Sequence, residues 1–123
     1  MVFVTADRCR SQLERLTQIL VSAFPGSTIY QHTDLFRVSR DVLNKKVDAV
    51  FLEAESDQAR GLDVVRMLRR QKADVPVFVL AKTEAFCAEA EEAGASGCFV
   101  LPECEQQLLD AVRLAGAKRE YAD

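Results

Sequence analysis

At 123 residues the chain has room for one domain, large enough to bury about two thirds of the surface its unfolded form would expose. With 49% hydrophobic and 28% charged residues it reads as a globular protein rather than a disordered one. A net charge of -3, one His and no Lys/Arg-rich block leave no electrostatic footprint for nucleic acid or an anionic membrane surface.

Five apolar stretches alternate with five helical patterns, which predicts a doubly wound parallel sheet. Strand one is expected over Val2 to Ala6, followed by a helix with Leu13, Leu16, Ile19, Leu20 and Ala23 on one face, stopped by Pro25-Gly26. Strand two is expected over Ser27 to Gln31, and helix two from about Asp34 to Lys45 with Leu35, Val38, Val42 and Leu43 inward. Strand three, Asp48 to Glu53, is almost continuously apolar until it ends in a carboxylate. Helix three starts near Arg60-Gly61, carries Leu62, Val65, Met67 and Leu68, and ends in basic residues that suit a helix C-terminus. Strand four is Pro76 to Ala81, with Pro at the position a strand tolerates. Helix four, Glu84 to Ala93, has little apolar surface beyond Phe86, so weak anchoring is expected. Strand five is Cys98 to Leu101, and helix five runs from Glu105 to about Lys118 with Leu108, Leu109, Val112 and Leu114. The domain is thus expected over residues 1–118, with 119–123 as a frayed tail.

The apolar runs are too short to span a membrane, and Met-Val-Phe-Val lacks the charged start of a secretory signal, so a cytoplasmic location is expected. Cys9, Cys87, Cys98 and Cys104 form no C-x-x-C pair and His32 cannot complete a zinc set. Reduced cysteines, used as small hydrophobes or exposed thiols, are therefore expected. In open α/β sheets sites form at the carboxyl ends of strands, which singles out Glu53. Asp7, Glu53, Glu55 and Asp57 suggest an acidic patch there, for which a solvated loop is the simpler reading and a metal site the sharper one.

Asp48-Ala-Val-Phe-Leu-Glu53 with Gly61-Leu62, Pro76-Val-Phe-Val-Leu-Ala81, and Ala93-Gly-Ala-Ser-Gly-Cys-Phe-Val-Leu-Pro102 resemble the receiver domain of two-component response regulators over essentially the whole chain. The resemblance implies a flavodoxin-like (CheY-like) α/β fold, a five-stranded parallel sheet in order 2-1-3-4-5 with five helices on its two faces. The interval from strand four to Gly94, with Phe86 inside it, looks most like receivers attached to LytTR-type DNA-binding domains. A working receiver in a phosphorelay needs a phosphoacceptor Asp, an acidic pair for Mg²⁺, a Thr or Ser for the phosphoryl oxygens and a Lys that pairs with the phosphoryl group. By the resemblance this chain has Glu53 for the acceptor, Ala81 for the hydroxyl residue, Leu101 for the Lys and Cys98 for the aromatic switch residue. Of the acidic pair only Asp7 is left, beside Ala6 or Arg8 according to the register, and Asp57 stands where a Pro would follow the acceptor.

Each replacement has a chemical meaning. The extra methylene of Glu53 misplaces in-line attack, and about an angstrom of misplacement can cost on the order of a hundredfold in rate. Loss of the Lys removes a charge-assisted partner for the product, and half an acidic pair leaves Mg²⁺ one or two carboxylates and water. The resemblance therefore implies a degenerate, non-enzymatic receiver with no cofactor beyond weak Mg²⁺ at Asp7 and Glu53. It would act in signal transduction or transcription regulation by contact with a protein partner or a second copy through helix four, strand five and helix five. Phe86, Phe99 and Leu114 are candidates for that face, and the resemblance implies an output domain joined outside this chain. Glu53 would be either a built-in mimic of an acidic switch or, in the favoured reading, a solvated carboxylate left after the site decayed.

The alternative is a receiver still weakly phosphorylated or metal-bound at Glu53 and Asp7. A distant alternative is a small phosphate-handling enzyme using Cys9, which has C-x5-R spacing to Arg15. That chemistry needs a Gly-rich loop of free backbone N-H groups after strand one, and none is present. Flavin binding fails for the same reason, because Asp7 would repel the phosphate.

Overall fold

The computed structural model describes residues 1–53, 60–71 and 74–121. Five parallel strands, β1 (Val2–Ala6), β2 (Thr28–His32), β3 (Ala49–Glu53), β4 (Val77–Ala81) and β5 (Gly97–Val100), form one sheet in the order β2-β1-β3-β4-β5. Helices α1 (Arg10–Ala23), α2 (Val38–Asn44), α3 (Arg60–Gln71), α4 (Ala85–Ala93) and α5 (Glu105–Tyr121) connect and cover the strands. The expected architecture and strand order are therefore present.

Strand side chains alternate between two apolar layers, as a sheet buried on both faces requires. Val4, Ala6, Val50, Leu52, Val77 and Val79 meet residues of α2, α3 and α4 on one face. On the other, Phe3, Ala49, Phe51, Phe78 and Leu80 meet α1 through Leu16 and Leu20 and α5 through Leu108, Leu109 and Val112. Four rings run across that second face: Phe3 lies 5.6 Å from Phe51, Phe51 lies 5.6 Å from Phe78, and Phe78 lies 6.1 Å from Phe99.

Several boundaries shift, and the reasons are local. The second helix begins as a 3-10 turn over Leu35–Arg37, in which the Asp34 carboxylate accepts the Phe36 N-H at 3.0 Å. Regular α-helix starts only at Val38, which buries Val38, Asp41 and Val42 and turns Leu43 outward, 53% exposed, against the expectation that it faces in. β5 begins one residue early, at Gly97, so Leu101 lies in the turn that follows. No helix breaker follows Lys118, and α5 continues to Tyr121 through most of the expected tail. The end of α4 is set by Gly94, whose φ of 111° disfavours a side chain and where an added Cβ would come within 2.8 Å of Arg69 Cγ. Arg69 then staples three segments, donating to the carbonyls of Gly94 and Val75, both at 2.6 Å, and to Ser96 Oγ at 3.0 Å.

Asp41 is a buried carboxylate that binds β2 to α2, with His32 Nε2 at 2.5 Å and Lys45 Nζ at 2.7 Å. Burial pushes its pKa up, but the bonds from Lys45 and His32 outweigh burial and hold it below the usual carboxylate range. A depressed native pKa stabilises the fold above the unfolded value near about 4, and that contribution is lost as pH falls through the native value. Asp41→Asn is expected to cost about 1–3 kcal/mol at pH 7. Urea titrations of both chains should show the gap narrowing at pH 3.

Candidate functional site

The carboxyl ends of β1, β3 and β4 and the turn after β5 converge on one cavity of about 270 Å³. Asp7 leaves β1 with its N-H donating to the His32 carbonyl at 3.1 Å, which sets the direction of the chain into α1. Its Oδ1 accepts the Cys9 N-H at 2.8 Å, and Gln12, with its amide turned to donate, reaches Oδ2 at 2.7 Å. Glu53 ends the central strand β3, Ala81 ends β4 and Leu101 follows β5, and all three line the same cavity with Asp7. Four of the five positions singled out by the resemblance are thus brought together. The fifth, Cys98, points into the opposite apolar layer, with α4.

Both carboxylates are deeply placed, Asp7 and Glu53 being 5% exposed each. This overturns the expectation that Glu53 is a solvated strand-end group. Glu53 shares its cavity with Leu16 and Ile19 of α1 and with Leu101 after β5, apolar walls that a side chain in open solvent would not have. Burial pushes the Asp7 carboxyl up to about 6, and the Glu53 charge adds to this, while the Cys9 amide and the Lys82 ammonium oppose it. Glu55 and Asp57 of the expected acidic patch lie outside the described residues.

Two cations on the cavity wall were not placed there by the sequence reading, Lys82, which it passed over, and Arg15, which it weighed only for its spacing to Cys9. Lys82 directly follows the last residue of β4, and a residue one past a strand's carboxyl end is a signal that could have found it. Arg15 is a second-turn residue of α1, where only the helix's rotation decides that it faces the cavity. Asp7 and Glu53 are the carboxylates a Mg²⁺ would meet among the described residues, with waters completing its octahedron, but Asp7 already accepts two N-H donors and the Lys82 ammonium acts on it. Among the described residues no group of three or more His, Cys, Asp or Glu could hold a metal ion.

Cys9 is the N-cap residue of α1, exposed, with Ser11 Oγ 3.2 Å from its sulfur, and that bond lowers its pKa. It is not among the residues that line this cavity, so a Cys9-based phosphate site would lie outside it. Of the residues considered for a contact face, Phe86 packs partly into the α2/α3/α4 layer, Phe99 into the α1/α5 layer, and Leu114 is 59% exposed. The expectation of four reduced cysteines is corrected as well: Cys87 and Cys98 form a disulfide, while Cys9 and Cys104 are free. Among the described residues no helix is long and apolar enough to cross a membrane.

No family model matches the sequence, and no curated protein matches it significantly. Solved structures do resemble it. A response regulator receiver domain protein from Clostridium thermocellum superposes with a TM-score of 0.81 at 17% identity, over 97% of this chain and 96% of that one. A CheY-like receiver domain protein from Methanospirillum hungatei reaches 0.82 at 13% identity, over 99% and 98%. The signal receiver domain of an HD domain-containing protein from Pseudomonas fluorescens reaches 0.79 at 20% identity, over 99% and 98%. Shared strand order and near-complete mutual coverage make the fold of this chain that of the CheY-like response-regulator receiver domains.

Proposed function

We propose that this chain is an atypical receiver domain that takes no phosphoryl group at the usual strand-three position and signals through protein-protein contact. The observation that carries the reading is the cavity itself. Its acceptor position is a buried Glu53, the hydroxyl position is Ala81, the lysine position before Pro102 is Leu101, and the remaining acid, Asp7, is pushed toward its neutral form. Phosphoryl transfer is catalysed by charge neutralisation and positioning, and each of these replacements removes one or the other. No resident metal and no enzymatic turnover belong to this reading.

With phosphotransfer set aside, the surface does the signalling. The face formed by α4, β5 and α5, with Phe86, Phe99 and Leu114, would meet a protein partner, a second copy or an output domain joined outside this chain, in the cytoplasm. A buried Glu53 also supports a fixed acidic group in place of a switched one, so Glu53→Gln should alter oligomeric state or α4 mobility. Unchanged behaviour of that variant would leave the contact reading without its mimic.

The decisive measurement is intact-protein mass after incubation with Mg²⁺ and a small-molecule phosphodonor, with Cys9→Ser and Glu53→Ala run beside the parent chain. No adduct is expected on any of the three. A stoichiometric phosphoryl adduct would overturn the proposal in favour of a receiver that is still phosphorylated, and the variant that lost the adduct would name the acceptor.

A further inference from the structure

We propose that Cys87 and Cys98 are a reversible oxidation site, a thiol–disulfide couple opened and closed by exchange with a small thiol, and that its state sets how firmly the N-terminal half of α4 is held on the sheet. The pair joins the first turn of α4 to the edge strand β5, with Cα atoms 5.4 Å apart, a separation that bridges without backbone movement. Both residues are half-buried at the edge of the sheet rather than sealed in its centre, so an incoming thiolate can reach a sulfur.

The two ends of α4 are held by different means. The C-terminal end is fixed by the left-handed turn at Gly94, whose carbonyl accepts from Arg69, and by Ala90, which is fully buried. The N-terminal end has no side-chain cap at Glu84, and Ala85 is exposed. Phe86 is half-buried there, so the bridge from Cys87 is the covalent tether of that end. Opening the bridge therefore releases one half of one short helix. The layers built on β1, β3 and β4 are held chiefly by α2, α3, α1 and α5, and the buried member that α4 adds, Ala90, lies toward the end fixed by the Gly94 turn.

The chemistry balances with a disulfide as the oxidant. Two thiols at Cys87 and Cys98 lose two electrons and two protons as their S–S bond forms, and glutathione disulfide takes up both to leave as two glutathione thiols. Reduction runs the same steps backward through a mixed disulfide on one of the two sulfurs. The couple stands without the contact-face reading, and only its use to gate a partner at α4 rests on that reading.

The full chain equilibrated in graded glutathione to glutathione-disulfide mixtures, then alkylated and digested, tests the site. Cys87 and Cys98 should pass together from linked to doubly alkylated at one midpoint, while exposed Cys9 passes only between the free thiol and a glutathione mixed disulfide. Amide exchange at Phe86 and Cys87 should speed up at least about tenfold on reduction, with β1, β3 and β4 unchanged, and Cys87→Ser should exchange fast in every mixture. Two thiols alkylated in every mixture, a bridge that stays closed in every mixture, or an opening that leaves α4 exchange unaltered would each overturn the proposal. Loss of partner binding to α4 bears on the contact face alone, because the midpoint and the exchange rates are read without a partner.

Discussion

Phe51→Ala is expected to cost about 3–5 kcal/mol of folding stability, the largest effect of any substitution considered for this chain. Phe51 is 0% exposed, sits in the middle of the central strand β3, and pairs in register with Thr5 on β1 and Phe78 on β4. Its ring is the shared member of two contacts, edge-on to Phe3 at 78° and tilted against Phe78 at 32°, so truncation removes both and leaves a void bounded by two strands and by α1 and α5. Strands at the centre of a sheet cannot move inward to fill such a void, since their spacing is held by ladder hydrogen bonds on both sides. Urea unfolding should show a lower midpoint at an unchanged slope. Leu114→Ala is the control, and being 59% exposed it should stay within about 0.5 kcal/mol. A cost below about 1 kcal/mol for Phe51→Ala would mean that the ring row is not the core that holds α1 and α5 to the sheet.

The layered core was legible because Val50, Phe51 and Leu52 in β3 and Val77, Phe78 and Val79 in β4 are continuous apolar runs, and only a doubly covered parallel sheet buries both sides of such strands. The carboxyl-edge argument singled out Glu53, and the resemblance implied Asp7, Ala81 and Leu101 beside it; their convergence agrees with parallel strands bringing their carboxyl ends to one edge. Most helix faces were also legible, Leu16, Leu20, Val38, Val42, Leu68 and Leu108 being buried as expected, and what failed were particular positions where the rotation of a helix decides the outcome. Leu43 points outward because three residues of 3-10 turn precede α2 and shift its phase, a local choice made by the Asp34 side chain that periodicity does not reveal. Arg15 reaches the cavity, and Cys87 meets Cys98, for a similar reason: eleven residues from a helix to the next strand is no motif, and only the roll of α4 brings the sulfurs together. Glu53 was misjudged on solvation because residues that share its cavity, Leu16, Ile19 and Leu101, are distant in sequence and belong to α1 and the β5–α5 turn.

Asp7→Asn is expected to stabilise the chain at pH 7.5 and to leave it unchanged at pH 3.5. The native carboxyl titrates near about 6, raised first by burial and then by Glu53, whereas an unfolded Asp titrates near about 3.9. Between those values the folded chain keeps a proton that the unfolded chain has released, so this group's contribution is fully favourable below about pH 4 and is lost as pH rises to about 6. The gap between those two values corresponds to about 3 kcal/mol as an upper limit, which solvent screening at a partly open cavity reduces to about 1–2 kcal/mol. Asn keeps the acceptor for the Cys9 N-H and carries no charge, so the variant recovers that amount only where the parent is ionised. Asp41 behaves in the opposite sense, because its depressed pKa makes it favourable at neutral pH and neutral in effect under acid, so Asp41→Asn should do its damage at pH 7. Thermal or urea unfolding of the two variants across pH 3.5 to 7.5 should therefore give difference curves of opposite sign. A constant offset for Asp7→Asn across that range would mean that its carboxylate is solvated in the folded chain, and the buried acidic cavity on which the loss of phosphotransfer rests would go with it.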